Sequence, residues 1–591
     1  GYDLTATLEN HQLDAALLAR NSAMEVQAHL DGKLKPNDVA AHLQVQVPKL
    51  DWKVMQLMDV PFRTSHQFDV TFVSDLEKKY EVNASMTDTS VKAPKKTFQT
   101  KDLYVGFATS VDSTKAYMRA GDLDVNFEGR GYVETLLAQV DAFTSRAGEQ
   151  WTSKTINQEE LKTLLPGVCL KATSGNDNPI SNYLSMMQGV SFDKLYLDFD
   201  TSPEEGINGE AFLYNMRTDS LLVDTIGIDL KHGDDGLDFL TEVISTAKPN
   251  QEAFEVNLDG NIGNGKAQLL FQYLNARKEK GVYLGANAAL GRRGIRMKFF
   301  PENPILVYRP FHLNERNYLY LADRGRIYGD VRLFDDQGTG IHFYTNREDT
   351  IADQEMTVEL SRIDLKQFKK VLPYLPDVEG WLGGSLHYVD SEGQMMLSAD
   401  MNLDNFVYEK SPLGNWTMSG AYLPGDNNAH HVDGFITYND QEIIYMNGVY
   451  QANETGQENI TGELELQHFP LRVINPFIPE KMVAFTGDID GTLSMTGSPM
   501  KPVLNGGLQL DSVLMIMPDM SVGFRFDNKQ VKMQDSKMVF DKFNIYTRGE
   551  TPFVVNGSVD FSDMEKMMVD LRMKTSNYEL MNAPKNRKAT M

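Results

Sequence analysis

Cysteine is all but missing from this chain. Cys169 stands alone in 591 residues, so no internal disulfide can form and a large folded core must supply the stability that cross-links give small exported domains. Positive charge is scarce too: 57 Lys and Arg stand against 82 Asp and Glu, a net charge of −25. No basic patch is present to neutralise phosphates along a nucleic acid, which argues against that partner. Only four tryptophans occur, without an ordered aromatic cluster of the kind a carbohydrate-binding face needs. No apolar run reaches the roughly 18 residues of a membrane-spanning helix, and Gly1-Tyr2-Asp3-Leu4 lacks the basic-then-apolar plan of a leader. A nucleophile elbow, a His-Glu-x-x-His pair and a Walker A loop are likewise absent.

What is present is enough to fold. Hydrophobic residues make up 41% and aromatics 10%, so the acidity belongs to a solvated face and not to disorder. The length is far beyond the size at which single cores stop growing, which predicts a multidomain or an elongated, repetitive molecule. Because strand-like alternation (Tyr2, Leu4, Ala6, Leu8) begins at once and the end at Met591 follows a basic run, the chain reads as a stretch of a longer polypeptide.

Period-two alternation dominates from end to end and predicts strands with one apolar and one polar face. Examples are Met24, Val26, Ala28, Leu30; Leu195, Leu197, Phe199; Val256, Leu258, Gly260, Ile262; Leu464, Leu466; Ile489, Gly491, Leu493, Met495; and Val569, Leu571, Met573. Asp31-Gly32, Asp235-Gly236, Asn264-Gly265, Asn505-Gly506 and Asn556-Gly557 read as turns between antiparallel strands, on the order of 40 strands in all. Helix is expected only near 132–146, 157–165, 179–187 and 365–372, as connectors in a β framework.

An internal repeat accompanies the alternation. Leu375-Pro376 answers to Ile478-Pro479, and beyond a four-residue insertion Val378, Gly380, Leu382, Gly384 and Leu386 fall opposite Phe485, Gly487, Ile489, Gly491 and Leu493. Weaker echoes at Leu164-Leu165-Pro166-Gly167 and Val47-Pro48 suggest a module of roughly 100 residues whose proline connector breaks the ladder and re-aims the chain. The expected division is β segments at 1–130 and 191–360, a partly helical connector at 131–190, and repeat modules at 361–470 and 471–591.

The polar candidates have plain explanations. Gly260, Gly263, Gly265 and Lys266 have the wrong spacing for a phosphate loop and read as a hairpin. His430 and His431 are adjacent, so on a strand they point to opposite faces and cannot share a metal. Asp198 and Asp200 share a face as an acid and base pair would, and Asp234, Asp235 and Asp238 resemble a calcium loop, but solvation accounts for both sets. Cys169 reads as a buried structural thiol. Asp219-Ser220-Leu221, Asp224-Thr225-Ile226, Asp349-Thr350-Ile351 and Asp511-Ser512-Val513 look like an acidic, hydroxyl, aliphatic O-glycosylation signal. No catalytic residue, metal site or cofactor is therefore expected. The alternating stripe is the functional candidate: core in a closed sandwich, a greasy groove in an open curved sheet.

From Glu463-Leu-Glu-Leu through Phe485-Thr-Gly-Asp-Ile-Asp-Gly-Thr-Leu the chain resembles the TamB/AsmA-like family, in the style of its Bacteroidota members. The most specific part is a Gly-x-Leu-x-Gly-x-Leu strand from Gly487, with Ile489 in place of the first leucine, then Gly497, Ser498, Pro502, Leu504 and Gly506; the turn at Pro412-Leu413-Gly414-Asn415 is also similar. Residues 300–591 carry the resemblance and residues 1–299 share only its pattern. The family's inner-membrane anchor and C-terminal domain have no match here.

The resemblance implies an all-β fold, a long curved antiparallel sheet forming a U-shaped hydrophobic groove with a few short helices. It further implies a periplasmic, inner-membrane-anchored bridge that carries phospholipid to the outer membrane, or a scaffold for outer-membrane β-barrel assembly. Its partners would be phospholipid acyl chains and, through parts outside this chain, a BamA-like barrel of the TamA type. Acyl chains held by about 0.8 kcal/mol per buried methylene need no directional bonds, so a conducting groove needs no catalytic constellation. The expected lining is Leu195, Leu197, Phe199, Val256, Leu258, Ile262, Leu464, Leu466, Ile489, Leu493, Met495, Leu508, Leu510, Phe524, Phe526, Phe553, Val555, Val559, Val569, Leu571 and Met573.

Overall fold

The computed structural model describes residues 1–94, 97–218, 221–248, 251–346, 354–370, 375–391, 394–425, 429–452, 458–478, 483–518, 522–547, 551–563 and 566–576. They form 38 strands, every recorded pairing is antiparallel, and helix is confined to connectors, so the chain is all-β as its alternation predicts. The chain divides into two compact units, Gly1–Pro301 and Glu302–Met591.

The first unit is a meander. Each strand from Tyr2–Glu9 to Lys280–Gly291 pairs with the next in the chain; the short Thr97–Gln99 adds to Tyr80–Lys92, which then continues to Leu103–Thr109. The second unit meanders likewise from Ile327–Phe334 to Lys501–Met517. There Val522–Phe526 and Gln530–Gln534 both pair with Lys501–Met517 and hand over to Lys537–Tyr546, Phe553–Asp560 and Met568–Lys574.

Helices occur where the 3.6-residue pattern places them: Val133–Ser153, Gln158–Thr163, Pro179–Tyr183 running into a π-turn at Leu184–Gln188, and Leu365–Phe368. Residues 371 and 372 of the last expected helix lie outside the described residues. The short helices start on side-chain caps. Asn157 accepts from the Glu160 amide at 3.1 Å, and Asn178 accepts from the Ser181 amide at 2.9 Å with Pro179 at the first helical position. Val133–Ser153 buries one apolar side chain, Leu136, against Gly129, where a Cβ would fall 2.3 Å from the leucine Cδ1. Gln158 then reaches the imidazole of His232 at 3.0 Å, tying this connector to the strand Leu222–Gly233.

Three expected turns are strand interior instead. Asp31-Gly32, Asn505-Gly506 and Asn556-Gly557 lie within Met24–Lys35, Lys501–Met517 and Phe553–Asp560. At two of them the glycine is needed by the ladder: Gly506 has φ +144° and Gly557 φ +128°, and a Cβ there would lie 2.1 Å from the Thr492 carbonyl oxygen and 2.0 Å from that of Asp570. Asp235-Gly236 and Asn264-Gly265 do sit at hairpins, closing Gly233 on Gly236 and Gly263 on Lys266.

The repeat is structural. Val378–Ser391 and Ala484–Ser498 each follow a short helical connector, Leu365–Phe368 and the 3₁₀ turn Leu471–Phe477, and each is bulged near its first glycine, Gly380 (φ +138°) and Gly487 (φ +89°). Pro479 and residues 371–374 lie outside the described residues. Sequence patterning missed a row of β-bulges in this unit, at Leu360/Ile363, Leu403/Phe406, Leu466/Phe469, Asp511/Leu514 and Phe540/Phe543. Each holds one residue at positive φ: Arg362, Asn405, His468, Ser512 and Lys542. A bulge adds a residue and bends its strand, so these strands bend at corresponding levels.

Candidate functional site

In an antiparallel sheet, directly opposed residues project to the same side, so the registers trace one face from strand to strand. In the first unit Leu4 faces Leu17, Leu17 faces Ala28, Ala28 faces Val45 and Val45 faces Phe68. The line continues through Met86 and Leu103, and through Phe107, Ala116, Phe127 and Leu170 to Phe199. From there Leu195 faces Leu213, which faces Ile226, then Val243, Val256, Tyr273 and Val282. A parallel row runs Leu197, Ala211, Ile228, Thr241, Leu258, Phe271 and Leu284, and Ile262 lies opposite Leu237 and Ala267. All six expected lining residues of this unit thus share one face.

The second unit carries its own apolar face. Leu382, Leu403, Trp416 and Tyr438 form one row. Leu464 faces Leu493, Leu466 faces Gly491, Ile489 faces Leu510, Gly491 faces Leu508 and Met495 faces Leu504. Further on, Phe526 faces Ile545, Ile545 faces Phe553, Val559 faces Val569, Gly557 faces Leu571 and Val555 faces Met573. Phe524 faces Met515, beyond a bulge in that strand. The face is rich in methionine (Met401, Met418, Met446, Met495) and thinned by opposed glycines, Gly420 with Gly434 and Gly448 with Gly462.

These faces are not sandwich cores. Ile228, Phe271, Met418 and Val432 are exposed, and Ile262 keeps 50% of its surface in contact with solvent. Most other members are half-buried. One section differs from the expected open trough: Val555 is 3% exposed and packs with Val531 and Phe543 in a small core that Leu510, Phe526 and Leu571 flank, because the two short strands and the bulge at Phe540/Phe543 close that corner.

The opposite face is polar and mostly self-satisfied. Lys171 Nζ donates to Asp198 at 2.7 Å, and Asn261 Nδ2 donates to Asp238 at 2.8 Å. His431 lies on this side, opposite Leu423 and Val449, whereas His430 lies on the apolar side with Val432, opposite Tyr450, and its imidazole shares a 2.7 Å hydrogen bond with the Tyr422 hydroxyl. Cys169 is not buried as expected. It lies half-exposed between Glu128 and Asp200, on the polar side, because its strand neighbours Val168 and Leu170 take the apolar one. Asp224 is held by an ion pair with Lys248 and by the Thr246 hydroxyl at 2.6 Å, which keep its carboxyl down at about 2. Asp219, Ser220 and the triplet Asp349-Thr350-Ile351 lie outside the described residues.

Sequence reasoning missed much of the first unit's face, notably Leu213, Ile226, Ile228, Phe239, Val243 and Phe271. The signal was there for most of them, since Ile226, Ile228, Phe239, Val243 and Phe271 each have a polar neighbour on one side, but Leu213 sits between Phe212 and Tyr214, and glycine, threonine and alanine interrupt the stripe strand by strand. Only the register restores it. No family model and no curated protein matches the chain.

Proposed function

We propose that this chain is a lipid-conducting segment of the TamB/AsmA-like kind. It works in the cell envelope of a two-membrane bacterium, where it passes phospholipid between inner and outer membrane with the acyl chains on the apolar faces. The observation that carries the reading is the register: in each unit alternate apolar side chains converge on one face over strand after strand, and that face stays partly open. An exposed apolar surface of this extent costs solubility unless something covers it, and monomeric proteins rarely expose more than a few hundred Å² in one patch. A row of near-equivalent aliphatic positions offers no single deep minimum, which suits a chain that must slide. The methionines of the second unit add side chains that adapt to differing occupants.

The test is substitution of a charge into the face. Leu258→Asp and Leu493→Asp should each lower phospholipid co-purifying with the chain by at least about fivefold while far-UV circular dichroism is retained, since burying an uncompensated carboxylate beside an acyl chain is strongly unfavourable. Undiminished lipid in both variants would remove the groove reading. A loss confined to bound outer-membrane barrel proteins would favour the assembly scaffold instead, with the same face holding a protein client.

A further inference from the structure

One cavity in the first unit differs from the open face. It has a volume of about 450 Å³ and a wall of carbon with scarcely a polar atom. Phe68 and Met86, opposed members of the apolar face, form its floor, Trp52 and Phe62 one side, and Tyr183 and Met186 of the helical connector reach over it. Trp52 and Thr64 satisfy one another, the indole Nε1 donating to the threonine Oγ1 at 3.0 Å. Thr89 is the exception. It lines the cavity, is 5% exposed, and its hydroxyl is buried with no hydrogen-bond partner among the described residues. A buried polar group without a partner is costly, and a ligand atom that supplies one regains that energy.

We propose that this cavity binds a single alkyl chain ending in an uncharged hydrogen-bonding group, a fatty alcohol or ester, with the Thr89 hydroxyl, once turned about χ1 from its buried position toward the cavity, as the partner of that group. The alkyl part follows from the wall and from a volume in the range of small-molecule pockets, roughly 300–1,000 Å³. The uncharged end follows from the company it would keep. No lysine or arginine lines the cavity, and burial pushes the His66 imidazole below its ordinary value, toward the neutral form at pH 7. A carboxylate or phosphate would therefore be buried without a countercharge. The site deepens the groove reading, because its floor is a section of the same face, but it asks for a discrete stop where the open face asks for sliding.

The experiment titrates the whole purified chain with 12-bromododecan-1-ol and with 1-bromododecane and follows quenching of Trp52, taken as the difference between the wild type and Trp52→Phe. The expected result is quenching by both probes, tighter for the alcohol. Thr89→Val should weaken the alcohol about fivefold, the factor of one neutral hydrogen bond, and leave bromododecane unchanged. Thr89→Ser keeps the hydroxyl and should keep the preference, which separates lost recognition from a disturbed fold. Equal affinities for the two probes, unchanged by Thr89→Val, would overturn the site while leaving the groove reading intact. Absence of any Trp52 quenching would also overturn it, and phospholipid co-purification would still report on the groove.

Discussion

Gly506 and Gly420 both lie on the apolar face of the second unit, yet a methyl group meets different surroundings at each. At Gly506 it lies 2.1 Å from a carbonyl oxygen with φ at +144°; at Gly420 the nearest atom is 3.4 Å away. Gly506→Ala should therefore cost roughly 2 kcal/mol or more and Gly420→Ala well under 1, read as the shift in urea midpoint. This distinction was illegible in the sequence. Asn-Gly serves a hairpin at Asn264-Gly265 and an in-strand left-handed position at Asn505-Gly506, and nothing local separates the two. Asp224 supports a second prediction at this scale. Its ion pair with Lys248, then its bonds from Thr246, hold the folded pKa at about 2 against an ordinary 3.8. A depressed carboxyl contributes stability that is complete above the unfolded pKa and is lost as pH falls toward 2. Asp224→Asn should thus destabilise by about 1 kcal/mol at pH 7, with the gap from wild type closing between pH 4 and about 2 in thermal melts.

At the scale of elements, strands and helices were readable because their periods differ, 2 against 3.6, and because Asn157, Asn178 and Asp364 mark the helix starts. The bulges were not. Their left-handed residues, such as Arg362, Asn405 and Lys542, carry no glycine to announce them, and each is fixed by pairing with a neighbour strand. Helix docking was half legible: the apolar spacing of Val133–Ser153 shows, but its landing point on Gly129 does not. Leu136→Ala removes the single buried apolar contact of that helix and should cost about 2–4 kcal/mol. Amide exchange of Leu123–Arg130, the strand beneath it, should accelerate, while the second unit keeps its protection.

For the molecule as a whole, the all-β class was legible because alternation survives strand by strand, and register joins the separate stripes into faces. The proposed recognition of acyl chains rests on those faces, which are largely apolar and partly open. The enclosed corner around Val531, Phe543 and Val555 is the exception and should behave as core. Val555→Asp is thus expected to unfold its surroundings, whereas Ile228→Asp, on the open face of the first unit, should leave the melting temperature within about 2 °C. The most direct measurement places a photoreactive amino acid at Leu493 in cells, irradiates, and identifies the adduct by mass spectrometry. The account predicts covalent phospholipid at that position, reduced when Leu464, its partner across the strands, becomes Asp. Adducts with protein alone, in cells where the chain is folded and in place, would contradict it.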